Sequence, residues 1–209
     1  MSDLVIVGAG GHGRELFATV EAINQVSPTW NVLGFVDDAP THPERVERLG
    51  SGVLGGLDWL VGQEVSVAVG IGTSSVRRAV IERLSLSPDR TPQIVHPAAT
   101  IGPDVELGPG VVIYDRCTLT TNVRIGAHSH LNVGCSVQHD SSLGDFVQLS
   151  PGVFVNGDCI IGSDVFVGTG GIVTRGCKVG DDASVGAGAV VLDDVQSGST
   201  VVGAPARPR

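Results

Sequence analysis

The chain has 209 residues and carries 13 Lys and Arg against 22 Asp and Glu, a net charge of −9, with only 4% aromatics. That balance argues against a nucleic-acid binder and against attachment to an anionic membrane surface. Apolar residues come in short, regularly spaced pieces, none near the ~18 in a row that a membrane helix needs, and no secretory signal pattern opens the chain. The expectation is a cytoplasmic protein with no membrane insertion.

Taken in order, Leu4-Val5-Ile6-Val7 followed by Gly8-Ala9-Gly10 reads as a buried strand and a tight turn. Residues 14–25 place Leu16, Phe17, Val20 and Ile23 on one helical face. A second strand over 32–38 ends in Phe35-Val36-Asp37-Asp38, a variable loop follows, and a third strand over 65–70 leads into a helix from about Ser74 to Leu84. The alternation predicts a small Rossmann-like βαβαβ domain with a parallel sheet over residues 1–93. Thr91-Pro92 closes it, and the second domain spans 94–209.

The first turn, Gly8-Ala9-Gly10-Gly11-His12-Gly13, satisfies G-x-G-x-x-G between a strand and a helix. Such glycines let backbone N–H groups at a positive helix terminus approach a phosphate, and a carboxylate at the end of the next strand accepts ribose hydroxyls. A dinucleotide needs two such halves, and only three strands precede residue 94. The reading is therefore a nucleotide-sugar, its diphosphate at Gly10, Gly11, His12 and Gly13 and its nucleoside near Asp37 and Asp38. A glycine turn that serves packing alone is the competing account. His12 is not required by the fingerprint, which favours a ligand contact, and Gly70 ends the third strand at the sheet edge where open α/β sheets bind ligands.

From Ile101 onward every sixth residue is Ile, Leu or Val, sixteen positions in a row ending at Val191. Four residues after each comes a small or β-branched residue, from Val105 to Val195. A six-residue period without insertion specifies a parallel β-helix of three-sided, eighteen-residue coils, a little over five of them. Cys117, Cys135, Cys159 and Cys177 all fall in the small inward series and none forms C-x-x-C, so they read as core filler. His139 falls outside both inward series, beside Asp140. An imidazole, with an ordinary pKa near ~6.5, suits proton removal at neutral pH, and a neighbouring carboxylate can orient it. Adjacent residues of a straight strand point apart, so the pair requires a corner. The alternative is an exposed histidine with no role. His128 and His130 flank inward Ser129 and read as solvated surface; no histidine pair has the spacing of a three-histidine zinc site.

The repeat resembles the left-handed parallel β-helix of hexapeptide acyltransferases, and Val202-Gly203-Ala204-Pro205-Ala206-Arg207 looks like their closing motif. With Gly-Ala-Gly-Gly-His-Gly at 8–13, Phe35-Val36-Asp37-Asp38 and Val137-Gln138-His139-Asp140, the whole chain is similar to one branch. That branch is the bacterial sugar O- and N-acetyltransferases of the sialic-acid and bacillosamine pathways, the NeuD/PglD family. The resemblance implies a homotrimer with acetyl-CoA in the groove between neighbouring prisms, and no metal. It implies His139 as general base, Asp140 as its support, Gln148, Thr169 and Ala187 as acetyl-CoA contacts, and Asn132 as a substrate contact. The implied acceptor is the amino group of a UDP-4-amino-sugar, with a sugar hydroxyl, as in sialic acid O-acetylation, as the alternative. A non-catalytic nucleotide-sugar scaffold is the reading from another class. Some relatives have a second His where Gln148 stands, and Gln cannot take a proton. Arg175, Lys178 and Arg207 are candidates for the CoA phosphates or for solvated charge.

Overall fold

The computed structural model describes residues 1–209 as two compact units, Met1–Pro97 and Ala98–Arg209. The division falls after the 93/94 boundary expected from Thr91-Pro92. Ile94 is fully buried and the strand Ile94–Val95 contacts the first helix.

In the first unit, β1 (Ser2–Val7), β2 (Trp30–Val36), β3 (Val53–Gly55) and β4 (Ser66–Val69) form one parallel sheet in the order β3-β2-β1-β4. Helices α1 (Gly11–Val26), α2 (Pro43–Glu47) and α3 (Ser74–Leu84) connect the strands. Leu4 to Val7 are buried as one apolar run, as expected of a central parallel strand covered on both faces. From α1 it is Leu16, Phe17 and Val20 that are buried, and Phe17 meets Phe35 at 5.7 Å between ring centroids. The sheet thus has a fourth strand where the sequence suggested a variable loop. β3 is three residues long between glycines, too short to carry a period.

The second unit is a three-sided parallel β-helix. Face 1 runs through Thr118–Leu119, Ser136–Val137, Phe154–Val155 and Ile172–Val173. Face 2 runs through Val123–Ile125, Ser142–Leu143, Ile160–Ile161 and Lys178–Val179. Face 3 runs through Val112–Ile113, His130–Leu131, Gln148–Leu149, Phe166–Val167 and Ser184–Val185. Partners in the ladders stand eighteen residues apart, as with Ser136 and Phe154 or Gln148 and Phe166. The last residue of each of these short strands points inward, so Leu119, Val137, Leu149, Val155, Val167 and Val173 are fully buried. Burying each such side chain stabilises by roughly 1.5–3 kcal/mol before ordering costs. The cysteines are free and buried, and the thiols of Cys117, Cys135 and Cys159 donate to the carbonyls of Asn132, Ser150 and Thr174.

The repeat shortens at its end. Val195 bridges Val179, and Val201 pairs with Val185, both sixteen residues on. Val195 therefore takes the large inward place rather than the small one its spacing predicts. The antiparallel pairing of Val202 with Arg207 then closes face 3.

Every corner from Asp104 to Gly188 is turned by a residue with positive φ. These stand at every sixth position from Asp104 to Gly188, fifteen in all, and twelve are Gly, Asp or Asn. This is the selection expected at left-handed positions, where Gly has no Cβ penalty and Asx side chains bond locally. The exceptions are Arg116, His128 and Phe146, of which the last two stack on each other at 5.1 Å.

Candidate active site

His139 follows the face 1 strand Ser136–Val137, and Asp140 is the next corner residue, with φ of 61°. The left-handed turn brings the two side chains onto the same side, which a straight strand would not do. Nδ1 of His139 lies 2.7 Å from Oδ2 of Asp140, both side chains half-exposed. The other oxygen, Oδ1, accepts from Nδ2 of Asn122 at 2.7 Å. Asn122 stands eighteen residues earlier, at the same corner one coil below. These bonds, that of Asn122 first and that of His139 second, hold the Asp140 carboxyl below the usual carboxylate range. An ionised carboxylate only accepts, so Nδ1 of His139 is the donor in this bond, and the lone pair of a neutral ring would then be at Nε2.

On the other side of the ring, a Cβ on Gly157 would lie 2.5 Å from Cε1 and 2.6 Å from Nε2 of His139. The missing side chain at 157 is the space the imidazole occupies. One coil further, Arg175 donates to Oδ2 of Asp158 at 2.7 Å. Donor atoms of His139, Asp140 and Asp158 come within 4.8 Å of one another. Asp158 is taken by Arg175 and Asp140 by His139 and Asn122, so the group is an internally paired charge network. Arg175 is thus paired with Asp158 while its side chain stays largely exposed.

The remaining β-helix candidates lie elsewhere. Thr169 and Ala187 are exposed, one coil apart at the corner between faces 3 and 1. Asn132 lies near that corner, its Oδ1 accepting from the N–H of Val133 at 2.7 Å, a local turn bond. Gln148 points outward from face 3 but is only 5% exposed, so the acetyl-CoA contact expected of it has little surface to act through. Face 3 is opposite the corner that carries His139. Within one chain, His139 and Asp140 do not converge with Asn132, Gln148, Thr169 and Ala187. His128 and His130 are buried, against the expectation of solvated surface; the His128 ring fills the space left by Gly110 and stacks on Phe146.

In the first unit Gly10, Gly11, His12, Asp37, Asp38 and Gly70 all line one cavity of about 420 Å³. The apolar side chains of Val36, Leu57, Val76 and Val80 complete it. That volume lies within the usual range for small-molecule sites. α1 begins at its edge with Gly10 as N-cap and no side-chain cap, which places the positive end of the helix at the cavity. Gly13 does not line the cavity. A Cβ there would fall 1.8 Å from the Gly8 carbonyl oxygen, and one on Gly70 would fall 2.5 Å from the Gly13 Cα. Gly13 lets the helix close on the strand ends, so packing by itself requires a glycine at this position. The Asp37 carboxylate accepts from the N–H groups of Ala9 at 2.8 Å and Ala39 at 2.9 Å, tying the glycine turn to the end of β2. Asp38 accepts from the N–H of Leu57 and from Arg83, both at 2.7 Å, and these two partners lower its pKa in that order.

Burial, with the positive charge of Arg77 adding to it, pushes the His12 pKa down to about 4, so the ring is neutral at pH 7. Arg77 itself is fully buried and donates to the carbonyls of Ile71 and Gly72 at 2.6 and 3.2 Å, holding the loop after β4. The composition at 8–13 had no signal for this cation, because Arg77 lies on another helix.

Comparison with known proteins gives matches on both units. The family described as PglD N-terminal domain matches residues 3–84, and bacterial transferase hexapeptide (six repeats) matches residues 98–133. UDP-N-acetylbacillosamine N-acetyltransferase of Bacillus subtilis (strain 168) is 32% identical over 125 residues, 54% of this chain and 51% of that protein. The chain's match thus spans about half the length of this curated relative. PerB from Caulobacter crescentus, solved with CoA and GDP-perosamine, superposes with a TM-score of 0.87 at 30% identity, over 100% of this chain and 98% of that one. The acetyltransferase domain of PglB from Neisseria gonorrhoeae FA1090, solved with acetyl coenzyme A, gives 0.86 at 27% identity, over 100% and 99%. With both halves matched in order and a 30% identical relative covered almost end to end, the chain belongs to the PglD-type hexapeptide-repeat sugar acetyltransferases.

Proposed function

We propose that this chain is an acetyl-CoA-dependent N-acetyltransferase acting on the amino group of a UDP-4-amino-sugar in glycan biosynthesis. The observation that carries the reading is the His139–Asp140 pair, a half-exposed imidazole whose Nδ1 is held at 2.7 Å by a carboxylate. Nε2 is then the base. As the sugar amine attacks the thioester carbonyl, Nε2 takes its proton; the tetrahedral adduct collapses, the C–S bond breaks, and the proton passes to the departing CoA sulfur. The products are the N-acetyl sugar and CoA, with no covalent enzyme intermediate. The cavity of the first unit holds the nucleotide, its diphosphate at the start of α1 and its nucleoside beside Asp37 and Asp38. Relatives support the donor and the acceptor class: PerB was solved with CoA and GDP-perosamine, and the Bacillus subtilis relative is named for a UDP-linked amino-sugar.

Of the acetyl-CoA contacts in this reading, Gln148, Thr169 and Ala187, the last two are exposed, on a different corner from His139. A site that uses both corners is completed by a second copy of the chain, which favours a homotrimer with acetyl-CoA between prisms. The test is His139→Ala with UDP-4-amino-sugar and acetyl-CoA, following CoA release. Loss of turnover by 100-fold or more with substrate binding retained is expected; near-normal turnover sinks the proposal. GDP-linked amino-sugars and sialic acid in the same acceptor panel separate the alternatives, and binding of UDP-sugar without any acetyl-CoA binding would identify a scaffold.

A further inference from the structure

The geometry points to Asn122 as a positioning residue for the acetyl transfer, acting on His139 through Asp140 from the coil below. This rests on His139 acting as the base. Four observations carry it. Asn122 and Asp140 occupy the same corner eighteen residues apart, with φ of 51° and 61°, so both Cβ atoms leave the backbone in the same direction. The Asp140 carboxylate is divided between two donors at 2.7 Å, Asn122 on Oδ1 and His139 on Oδ2. The amide must present its NH₂, because an ionised carboxylate has no proton to offer. The corner column reads Asp104, Asn122, Asp140, Asp158, and its one neutral member before Gly176 is the residue directly beneath the pair.

Asp and Asn serve a left-handed corner almost equally well, so turn chemistry does not explain why Asn stands at 122. Chemistry at Asp140 does. Asn clamps the carboxylate plane from one side while His139 takes the other oxygen. An Asp at 122 would place a second negative charge against it and offer no donor. The charged groups facing His139 are Asp140 at its own corner and Asp158, paired with Arg175, on the coils above; Asn122 is the neutral contact from below.

The test uses the full-length Asn122→Asp and Asn122→Gly, both compatible with positive φ. Asn122→Asp adds a charge near His139. It should raise the pH at which the His139 imidazole titrates in histidine-labelled NMR by about 0.5 to 1, and move the acidic limb of kcat/KM with it. Asn122→Gly removes the clamp and should lower kcat about five- to tenfold, with KM for both substrates within about twofold. Melting temperatures within a few degrees of wild type are expected for both, since the corner is retained. A His139 titration and kcat unchanged in Asn122→Asp would overturn the coupling. A moved titration with an unmoved acidic limb of kcat/KM would uphold the coupling and instead bring down the general-base reading beneath it.

Discussion

The imidazole of His139 lies over Gly157, in the space a side chain at 157 would fill. Gly157 precedes the positive-φ corner residue Asp158 and is itself not in that conformation, so the glycine serves the neighbouring ring rather than its own backbone. Gly157→Ala should leave the β-helix folded, because the atoms it meets belong to a side chain that can swing aside. Displacing a base by about 1 Å can cost up to about 100-fold in rate. We expect a kcat at least tenfold lower, near-normal binding of both substrates, and a little-changed melting temperature; wild-type kcat would show that the ring position is not critical.

Asp140 has two duties that one substitution separates. As a corner residue it needs to tolerate positive φ, and as a carboxylate it holds the Nδ1 proton of His139. Asp140→Asn keeps the first and removes the fixed acceptor, so the imidazole loses its tautomer. Turnover should fall by about 100-fold or more while thermal stability stays within a few degrees. Steady-state kinetics beside a melting curve checks both halves of the expectation.

His12 makes stability depend on pH. In the unfolded chain an imidazole titrates near ~6.5, whereas in the folded chain burial and Arg77 lower its pKa to about 4. The unfolded state therefore binds the proton first, and the folded state loses stability as pH falls from about 6.5 towards 4. The ring has only 16% of its side-chain surface exposed, so the effect is little screened and reaches about 3 kcal/mol at its lower end. Denaturant melts at pH 7 and pH 4.5 should show a larger loss for wild type than for His12→Gln, which has no proton to gain.

Gly13 and Gly8 approach so closely that a Cβ on Gly13 meets a backbone carbonyl, which cannot move aside as a side chain can. Gly13→Ala should destabilise the first unit by at least the 1–3 kcal/mol typical of overpacking. It should abolish nucleotide binding, while the circular dichroism of the β-helix persists to the wild-type melting temperature. Intact nucleotide affinity in this variant would mean that α1 can shift without cost.

The period of six exposed the β-helix because an inward residue must recur at each turn of a stacked coil, and one slip would expose a whole face. The same period put His139 outside the inward series, and Asp140 beside it set it apart from His128 and His130, which are also off the inward positions but are buried. The corner column was equally present in the sequence at Asp104, Asn122, Asp140 and Asp158, and the eighteen-residue coil makes Asn122 the neighbour of Asp140. That relation needed the coil length applied to polar residues rather than to aliphatic ones. Burial of outward groups such as His130 and Gln148 does not follow from the period, because neighbouring side chains on that face decide it. The cavity residues of the first unit were legible from the glycine turn and Asp37-Asp38. Arg77, which helps keep His12 neutral, comes from another helix and has no such signature.

Separate corners for His139 and Ala187 make a test of how many chains complete one site. Ala187 is exposed beside the corner residue Gly188, so Ala187→Trp should block the acetyl-CoA contact proposed there without disturbing the core. Alone, Ala187→Trp and His139→Ala should each be inactive. In a mixed trimer, a His139→Ala chain still offers an intact Ala187 corner, and an Ala187→Trp chain still offers an intact His139. If each site joins the two corners of neighbouring chains, equal co-expression leaves about one site in four with both intact. Differently tagged variants, purified through both tags, should therefore recover about a quarter or more of wild-type turnover. If one chain held the whole site, no mixture would exceed the variants alone, and the recovered activity decides between the two arrangements.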